Sequence, residues 1–509
     1  MFTKSMLLFR KWHLAVVLVI IAVTCSLHAQ DGDATPGPVA AKPDLVLHGI
    51  ITYADRQTYK EIPFTVPAGV TRVSVDLSYT EHDKHTNIDL GVLDPQRFRG
   101  WSGGNKSFFT ISETDATPSY LPGVIPAGKW TLLLGVPNIE EGIESHYEAK
   151  ISFGHKGEVP AVSTFSRAPL RNGPAWYRGD LHMHDAHSDG SCLSQSGQKV
   201  PCPLYKTVEA AAARKLDFIA ISDHNTISQF NDERELQPYF DQLLLIPGRE
   251  ITTFEGHANV FGTTDFVDFR LTSRHVPEID QMLREVQQQH GIFSINHPGS
   301  PSGAACMGCG WTAPNTDYRL VTAIEAINGG SLDGPRSGIP FWQDKLSHGF
   351  RLTGIGGSDN HDADYQPAVR SAVGHPTTVV YAQNLSERAI LDGIRAGHVF
   401  VDIEGTADRG MEFTAEAGEQ KAAMGDNLRV SSGEHVRLHL KLVSLPEAHP
   451  EMLVDGEIKS LQEDSSTPES SEHTFDYVSD GQRHWIRVNV RAADGKLLLL
   501  GNPVYLNFR

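Results

Sequence analysis

The sequence predicts a multidomain protein, α/β at its centre and all-β on both flanks. Three observations predict it. Apolar and polar residues alternate with period two over residues 44–155 and again over 404–509, as half-buried strands require. Between residues 169 and 403, short apolar runs alternate with amphipathic helical stretches, the pattern of a mostly parallel sheet with helices outside it, closed as a barrel. The 509 residues exceed what one core supports, so about three domains are expected.

Residues 1–29 read as an export signal. Lys4, Arg10 and Lys11 flank a 12-residue apolar run, Leu14 to Cys25. A membrane span needs about 20 residues. Cleavage is expected after Ala29, although Leu27 is large for its place; an uncleaved anchor is the alternative. Residues 30–43 form a linker, polar and Pro-rich in DGDATPGPVAAKP. The N-terminal β-sandwich over 44–155 is clearest in VTRVSVDLSYT and KWTLLLGV and carries no catalytic cluster. His82 and His85 in EHDKH read as solvated loop residues.

In the centre, LDFIAISD, LLLIPGREIT, IFSINHP, AIEAING and LTGIGGSD read as buried strands. TVEAAAARK, VPEIDQMLREVQQQH and ERAILDGIRAG read as helices. The C-terminal β-sandwich over 404–509 is carried by HVRLHLKLV and HWIRVNVRA. No second apolar run is long enough to span, so the chain after signal cleavage is expected to have no stable membrane span and to be periplasmic or secreted.

Hydrophobic content of 40% and charged content of 21% fit a globular protein. The net charge is −18, and loss of the signal's three cations makes it −21. That balance excludes a nucleic-acid partner, which needs clustered Lys and Arg. Cleavage leaves Cys192, Cys202, Cys306 and Cys309. In an oxidising compartment an even number points to disulfides, with three pairings open. CMGC also resembles half a zinc knuckle, but no second CxxC accompanies it.

The chemistry is concentrated in YRGDLHMHDAHSDG, Tyr177 to Gly190. His182 and His184 are two apart, so in an extended chain they point to one side and can hold one ion. Candidate ligands recur where later strands end: Asp189 closes the opening motif, His224 follows IAISD, Glu250 lies in PGREIT and His257 begins HANVFG. His297 follows IFSIN, and Asp359 and His361 end LTGIGGSDNH. Nine such residues at expected C-terminal strand ends mark the active-site face of a βα barrel.

From about Trp176 to Phe400 the chain resembles the PHP (polymerase and histidinol phosphatase) superfamily. RGDLHMHDAHSDG, ISDHNT, GREIT, GHANVFG, INHPG and GGSDNH are similar to its motifs in order. The flavour is that of the CehA/McbA-like metallohydrolases, which carry accessory β-domains. The resemblance implies a distorted (β/α)7 PHP barrel flanked by the two β-sandwiches, with two or three divalent metals. One metal would take His182, His184, Glu250 and Asp359. Glu250 would bridge to a second with His257 and His297. Asp189, His224 and His361 would hold a third. Imidazole and carboxylate suit zinc, manganese or iron. Two ions sharing Glu250 would lower the pKa of a bridging water and support hydrolysis, so that His182, His184, Glu250, His297 and Asp359 are also the catalytic set.

Asp185 and His187 are candidates for protonating the leaving oxygen, or for capping their loop. Arg249 adjoins Glu250, and alternation should turn it away from the site. RGD at Arg178 to Asp180 enters a buried strand, and GIGG at Gly354 to Gly357 lacks the spacing of a dinucleotide fingerprint. The two cysteine-bearing segments follow ligand-bearing strands and are expected to form a lid, with Trp311 lining it. The expected activity is a phosphoesterase acting on a small-molecule ester. The alternatives are a carboxyl- or carbamate-ester hydrolase, since Lys206 and Arg336 are weak phosphate clamps, and a non-catalytic surface-binding protein.

Overall fold

The period-two segments near the N-terminus form two four-stranded antiparallel sheets in a computed structural model that describes residues 42–158, 165–303, 306, 308–465 and 471–508. The export signal and nearly all of the linker lie outside the described residues. One sheet joins Leu45–Thr52, Glu144–His155, Val70–Tyr79 and Phe108–Ser112; the other joins Tyr59–Val66, Gly128–Asn138, Asn87–Leu93 and Phe98–Trp101. The alternating Val73, Val75 and Leu77 face Leu90, Trp130 and Leu132 in the core between them.

Seven strands then follow edge to edge: β1 (Arg171–Asp180), β2 (Phe218–Ile221), β3 (Leu244–Thr253), β4 (Gly256–Phe261), β5 (Ile292–Ile295), β6 (Ala323–Asn328) and β7 (Thr353–Gly357). The pairings β1–β2, β2–β3, β5–β6 and β6–β7 are parallel. The pairings β3–β4 and β4–β5 are antiparallel, because β3 and β4 are joined by a tight turn at Phe254 and Glu255. Past the outermost strands, Met183 bridges Asn360 in parallel, and the His184 amide donates to the Asn360 carbonyl at 2.9 Å. The segments following β1 and β7 therefore meet.

The helices are α1 (Leu204–Ala213), α2 (Gln229–Leu236), α3 (Ile279–Gln288), α4 (Ile339–Ser347) and α5 (Glu387–Ala396), so the described chain is mostly β. α2 and α4 escape the sequence pattern, α2 because it is mostly polar. Among the described residues, strict strand–helix alternation is broken at the β3–β4 hairpin, in the cysteine-bearing loop between β5 and β6, and between β7 and the strand Thr377–Leu385. None of these helices is long and apolar enough to cross a membrane.

On the other edge of β1 lie β8 (Thr377–Leu385) and β9 (Val399–Asp402), both antiparallel. β9 pairs with Leu497–Gly501, so one hydrogen-bonded sheet runs across residue 403 into the C-terminal region. A separate five-stranded sheet covers it there, and Met411, Phe413, Val436 and Leu438 pack on Phe400 and Val488. Beneath the ligand-bearing ends, Leu181, Phe218, Ala220, Leu244, Ile246 and Phe261 form an apolar floor.

The N-terminal sandwich is tied to α2 by charge. Asp115, fully buried, accepts from Arg72 at 2.5 Å within the sandwich, from Arg234 of α2, and from Thr264 at 3.1 Å. The Ala116 amide donates to Asn231 of the same helix at 3.2 Å.

Candidate metal centre

The nine predicted residues come together at one rim. His182 and His184 lie just past β1, His224 past β2, Glu250 within β3, His297 past β5, and Asp359 and His361 past β7. Asp189 stands on the turn after the histidine pair, largely exposed. His257 does not end a strand, as the sequence suggested; it begins β4. The hairpin reverses that strand, so its start lies at the same rim as its neighbours' ends.

Four distances define the first group. His182 Nε2 is 3.4 Å from Glu250 Oε2 and 3.3 Å from Asp359 Oδ1. His184 Nε2 is 3.6 Å from Glu250 Oε2 and 3.4 Å from Asp359 Oδ1. Tetrahedral ligands about 2.1 Å from one ion stand roughly 3.4 Å from each other. His182 Nε2 and His184 Nε2 are buried without a hydrogen-bond partner, which is costly unless a cation satisfies them; Glu250 Oε2 also lies 2.9 Å from His224 Nδ1.

Glu250 shows its other oxygen to the second group: Oε1 is 3.3 Å from His257 Nδ1 and 3.5 Å from His297 Nε2. In the third group, Asp189 Oδ1 is 3.3 Å from His361 Nε2 and 3.7 Å from His224 Nε2. The ligand atoms of His184, Asp189, His224 and His361 all lie within 4.8 Å of one another. The donor set therefore fits borderline divalent ions.

Hydrogen bonds fix which ring nitrogen faces inward. His182 Nδ1 donates to Glu325 at 2.9 Å, His297 Nδ1 to the Cys309 carbonyl at 3.0 Å, and His361 Nδ1 to the Asp359 carbonyl at 3.0 Å. His224 Nδ1 meets Thr252 Oγ1 at 2.6 Å. In each case Nε2 is left as the lone-pair nitrogen for the site. Backbone strain accompanies this: His297 and Asp359 hold φ of +27° and +54°, values that side chains of this kind rarely adopt.

Glu325 was not singled out in the sequence, although it is the one carboxylate in the apolar strand AIEAIN. Buried in β6, it also accepts from the His297 amide at 2.8 Å and from Asn328 at 3.1 Å. A Cβ at Gly357 would stand 2.3 Å from Glu325 Oε1 and 2.5 Å from the Cβ of His182, so the GIGG run serves close approach. Glu325→Gln is expected to weaken metal binding by about 10–100-fold, measured by competition with a chelating dye.

The electrostatics are those of a site that trades protons for cations. Burial alone would lower the His182 imidazolium, but Asp359, Glu325 and Glu250 outweigh it and hold it well above the usual value. His297 and His361, against the same cost of burial, are raised to about 9, His297 by Glu250 and Asp359, His361 by Asp189 and Asp359. His184 goes the other way: burial lowers it to about 4. Burial would raise Glu250 and Asp359, yet the surrounding histidines, His182 foremost, hold both well below the usual carboxylate range. An entering cation would displace protons from His182, His297 and His361.

Several neighbours have other duties. Asp185 Oδ1 accepts from the amide and the Nδ1 of His187, each at 2.8 Å, which is a loop cap. Arg249 points away, as alternation requires, donating to the Val267 carbonyl at 2.8 Å. Lys206 pairs with Glu209 at 2.8 Å on the surface, and Arg336 is exposed. Arg178 pairs with Asp402 at 2.6 Å, inside the fold. Cys192 is bonded to Cys202 and Cys306 to Cys309. Trp311 is buried against Gly256, at the turn into β4.

No family model matches the chain, and no curated protein matches it. Among solved structures, the chain is similar to a two-domain protein from Bacteroides vulgatus ATCC 8482 containing a predicted PHP-like metal-dependent phosphoesterase. That likeness has a TM-score of 0.36 and 19% identity and covers 67% of this chain and 98% of the other. It is also similar to a protein from Bifidobacterium adolescentis ATCC 15703 whose metal-dependent phosphoesterase activity is likewise only predicted. There the TM-score is 0.28 with 15% identity, covering 42% of this chain and 94% of the other.

Proposed function

We propose that this chain is an exported, metal-dependent hydrolase of the PHP kind, CehA/McbA-like in flavour, built on a distorted seven-stranded barrel and cleaving a small phosphoester. One observation carries the reading: His182, His184, Glu250 and Asp359 hold four cross-distances of 3.3–3.6 Å, and the inward Nε2 atoms of both histidines are otherwise unpartnered. Export, to the periplasm or the medium, rests on the N-terminal sequence alone.

When bound, divalent ions would supply a nucleophile at neutral pH and a counter-charge for the developing anion. His182, His184, Glu250 and Asp359 would hold one, Glu250 with His257 and His297 a second, and Asp189, His224 and His361 a third. The chain's own work is orientation. Glu325 keeps the proton of His182 on Nδ1, and the Cys309 carbonyl does the same for His297. Glu250, facing histidines with both oxygens, keeps the two groups in one register.

Cleavage of a carboxyl or carbamate ester is the second reading, and a specific observation favours it. Of the cations beside the motifs, Arg249 is taken by the Val267 carbonyl and Lys206 by Glu209, which leaves the exposed Arg336. A dianionic phosphate is better served by free basic groups. Initial rates on a chromogenic phosphodiester and a chromogenic carboxyl ester, with His182→Ala as control, separate the readings. Phosphodiester cleavage that the variant abolishes is expected; ester cleavage alone would transfer the protein to the second class.

A further inference from the structure

Behind the metal centre lies a second set of oxygens that hydrolysis does not use. Asp185 and Asp223 are fully buried, and each engages one oxygen with its own loop. Asp185 Oδ1 is capped by His187. Asp223 Oδ1 accepts the Asp185 amide at 3.0 Å and the Ser188 hydroxyl. Their Oδ2 atoms are buried and unpartnered. Glu233 of α2 is also fully buried, and both of its oxygens lack a partner. One turn earlier on α2, buried Gln229 leaves its Oε1 unpartnered as well.

The charges that act most strongly on Glu233 are negative. Burial, then Asp185, Asp223, Glu387 and Asp232, hold its carboxyl well above the usual range. The cation facing this set is His187, whose Nδ1 is on Asp185 and whose Nε2 is 3.5 Å from Asp232. No lysine or arginine answers the three carboxyls in these contacts.

We infer that Asp185, Asp223 and Glu233 form a buried calcium site distinct from the transition-metal centre. The orphaned atoms are all oxygens, which hard cations take and which lack the imidazoles that mark the neighbouring centre. A carboxylate with both oxygens free is the bidentate ligand that calcium accepts and that octahedral magnesium disfavours. Asp185 follows His184, Asp223 precedes His224, and Glu233 belongs to α2. The ion would fasten the two histidine-bearing loops to the helix that Asp115 ties to the N-terminal sandwich.

Calcium content after desalting from calcium-containing buffer tests this in the wild type, Glu233→Gln and His182→Ala. About one retained calcium per chain is expected in the wild type and in His182→Ala, and none in Glu233→Gln. EGTA should lower the wild-type melting temperature by about 3 °C or more, and calcium should restore it where magnesium and zinc do not. That arm decides the matter even if Glu233→Gln fails to fold. A wild type that holds no calcium and whose melting ignores EGTA would overturn the site, a shared proton then neutralising the carboxyls. Calcium lost from His182→Ala as well would assign the ion to the hydrolytic centre and also overturn it. Because His182→Ala disables the hydrolytic centre and leaves Asp185, Asp223 and Glu233 in place, failure of the proposed activity and failure of the calcium site read out separately.

Discussion

Glu250→Gln is expected to abolish hydrolysis, with a rate loss of about a thousandfold or more, roughly 4 kcal/mol. Glu250 is the anion most shared in the site: Oε2 faces His182, His184 and His224, and Oε1 faces His257 and His297. Asn296 donates to Oε1 at 2.9 Å, so the protein itself helps to hold the carboxylate in place. Glutamine keeps the shape but removes the charge that two cation groups have in common. Its amide also turns N–H bonds toward nitrogens that offer lone pairs. Metal content and rate should therefore fall together, at every metal concentration. A variant that keeps its ions and its rate would show that Glu250 is not a ligand.

The second large effect is on stability. Asp115→Asn should destabilise the protein by about 3–5 kcal/mol, because it leaves two guanidinium groups in a buried network without their anion. Arg72 and Arg234 meet the same fully buried carboxylate, and Thr264 adds a further donor. Burial opposes ionisation of Asp115, but the two arginines dominate and hold its pKa far below the ordinary 3.8. Since the folded value is depressed, this contribution is fully present above pH 3.8 and is lost progressively as the pH falls from there toward the folded value. Urea unfolding of the wild type and Asp115→Asn should differ fully at neutral pH and converge in strong acid. A pH-independent difference would assign the loss to packing instead.

How much of this could be read from the sequence differs by element. The clustering of the candidate residues was legible because most of them recur at the ends of apolar strands, where alternation and strand polarity place side chains without help from the rest of the fold. The strands IFSI and TGIGG and the helix IDQMLREVQQ were legible for the same reason: each is a local period. What was not legible depends on partners distant in sequence. The reversal of β4, which puts His257 at the rim by its start, follows from a two-residue turn and from pairing with β5. Glu325 has no local signal in its apolar strand, and its role follows only from His182, brought against it from after another strand. The sheet does not end at residue 403, since β9, which stops at Asp402, pairs with a strand nearly a hundred residues later. The ties between Asp115 and α2 and the carboxyls around Glu233 have no local pattern at all.

The most direct test is the metal content of the wild type beside His182→Ala, by inductively coupled plasma mass spectrometry, on protein purified without chelators and equilibrated at neutral pH. About two or three first-row transition ions per chain are predicted in the wild type, with at least one lost in the variant. A wild type that holds less than one such ion at metal excess, or a variant that holds as many as the wild type, would contradict the assignment of this rim as a metal centre.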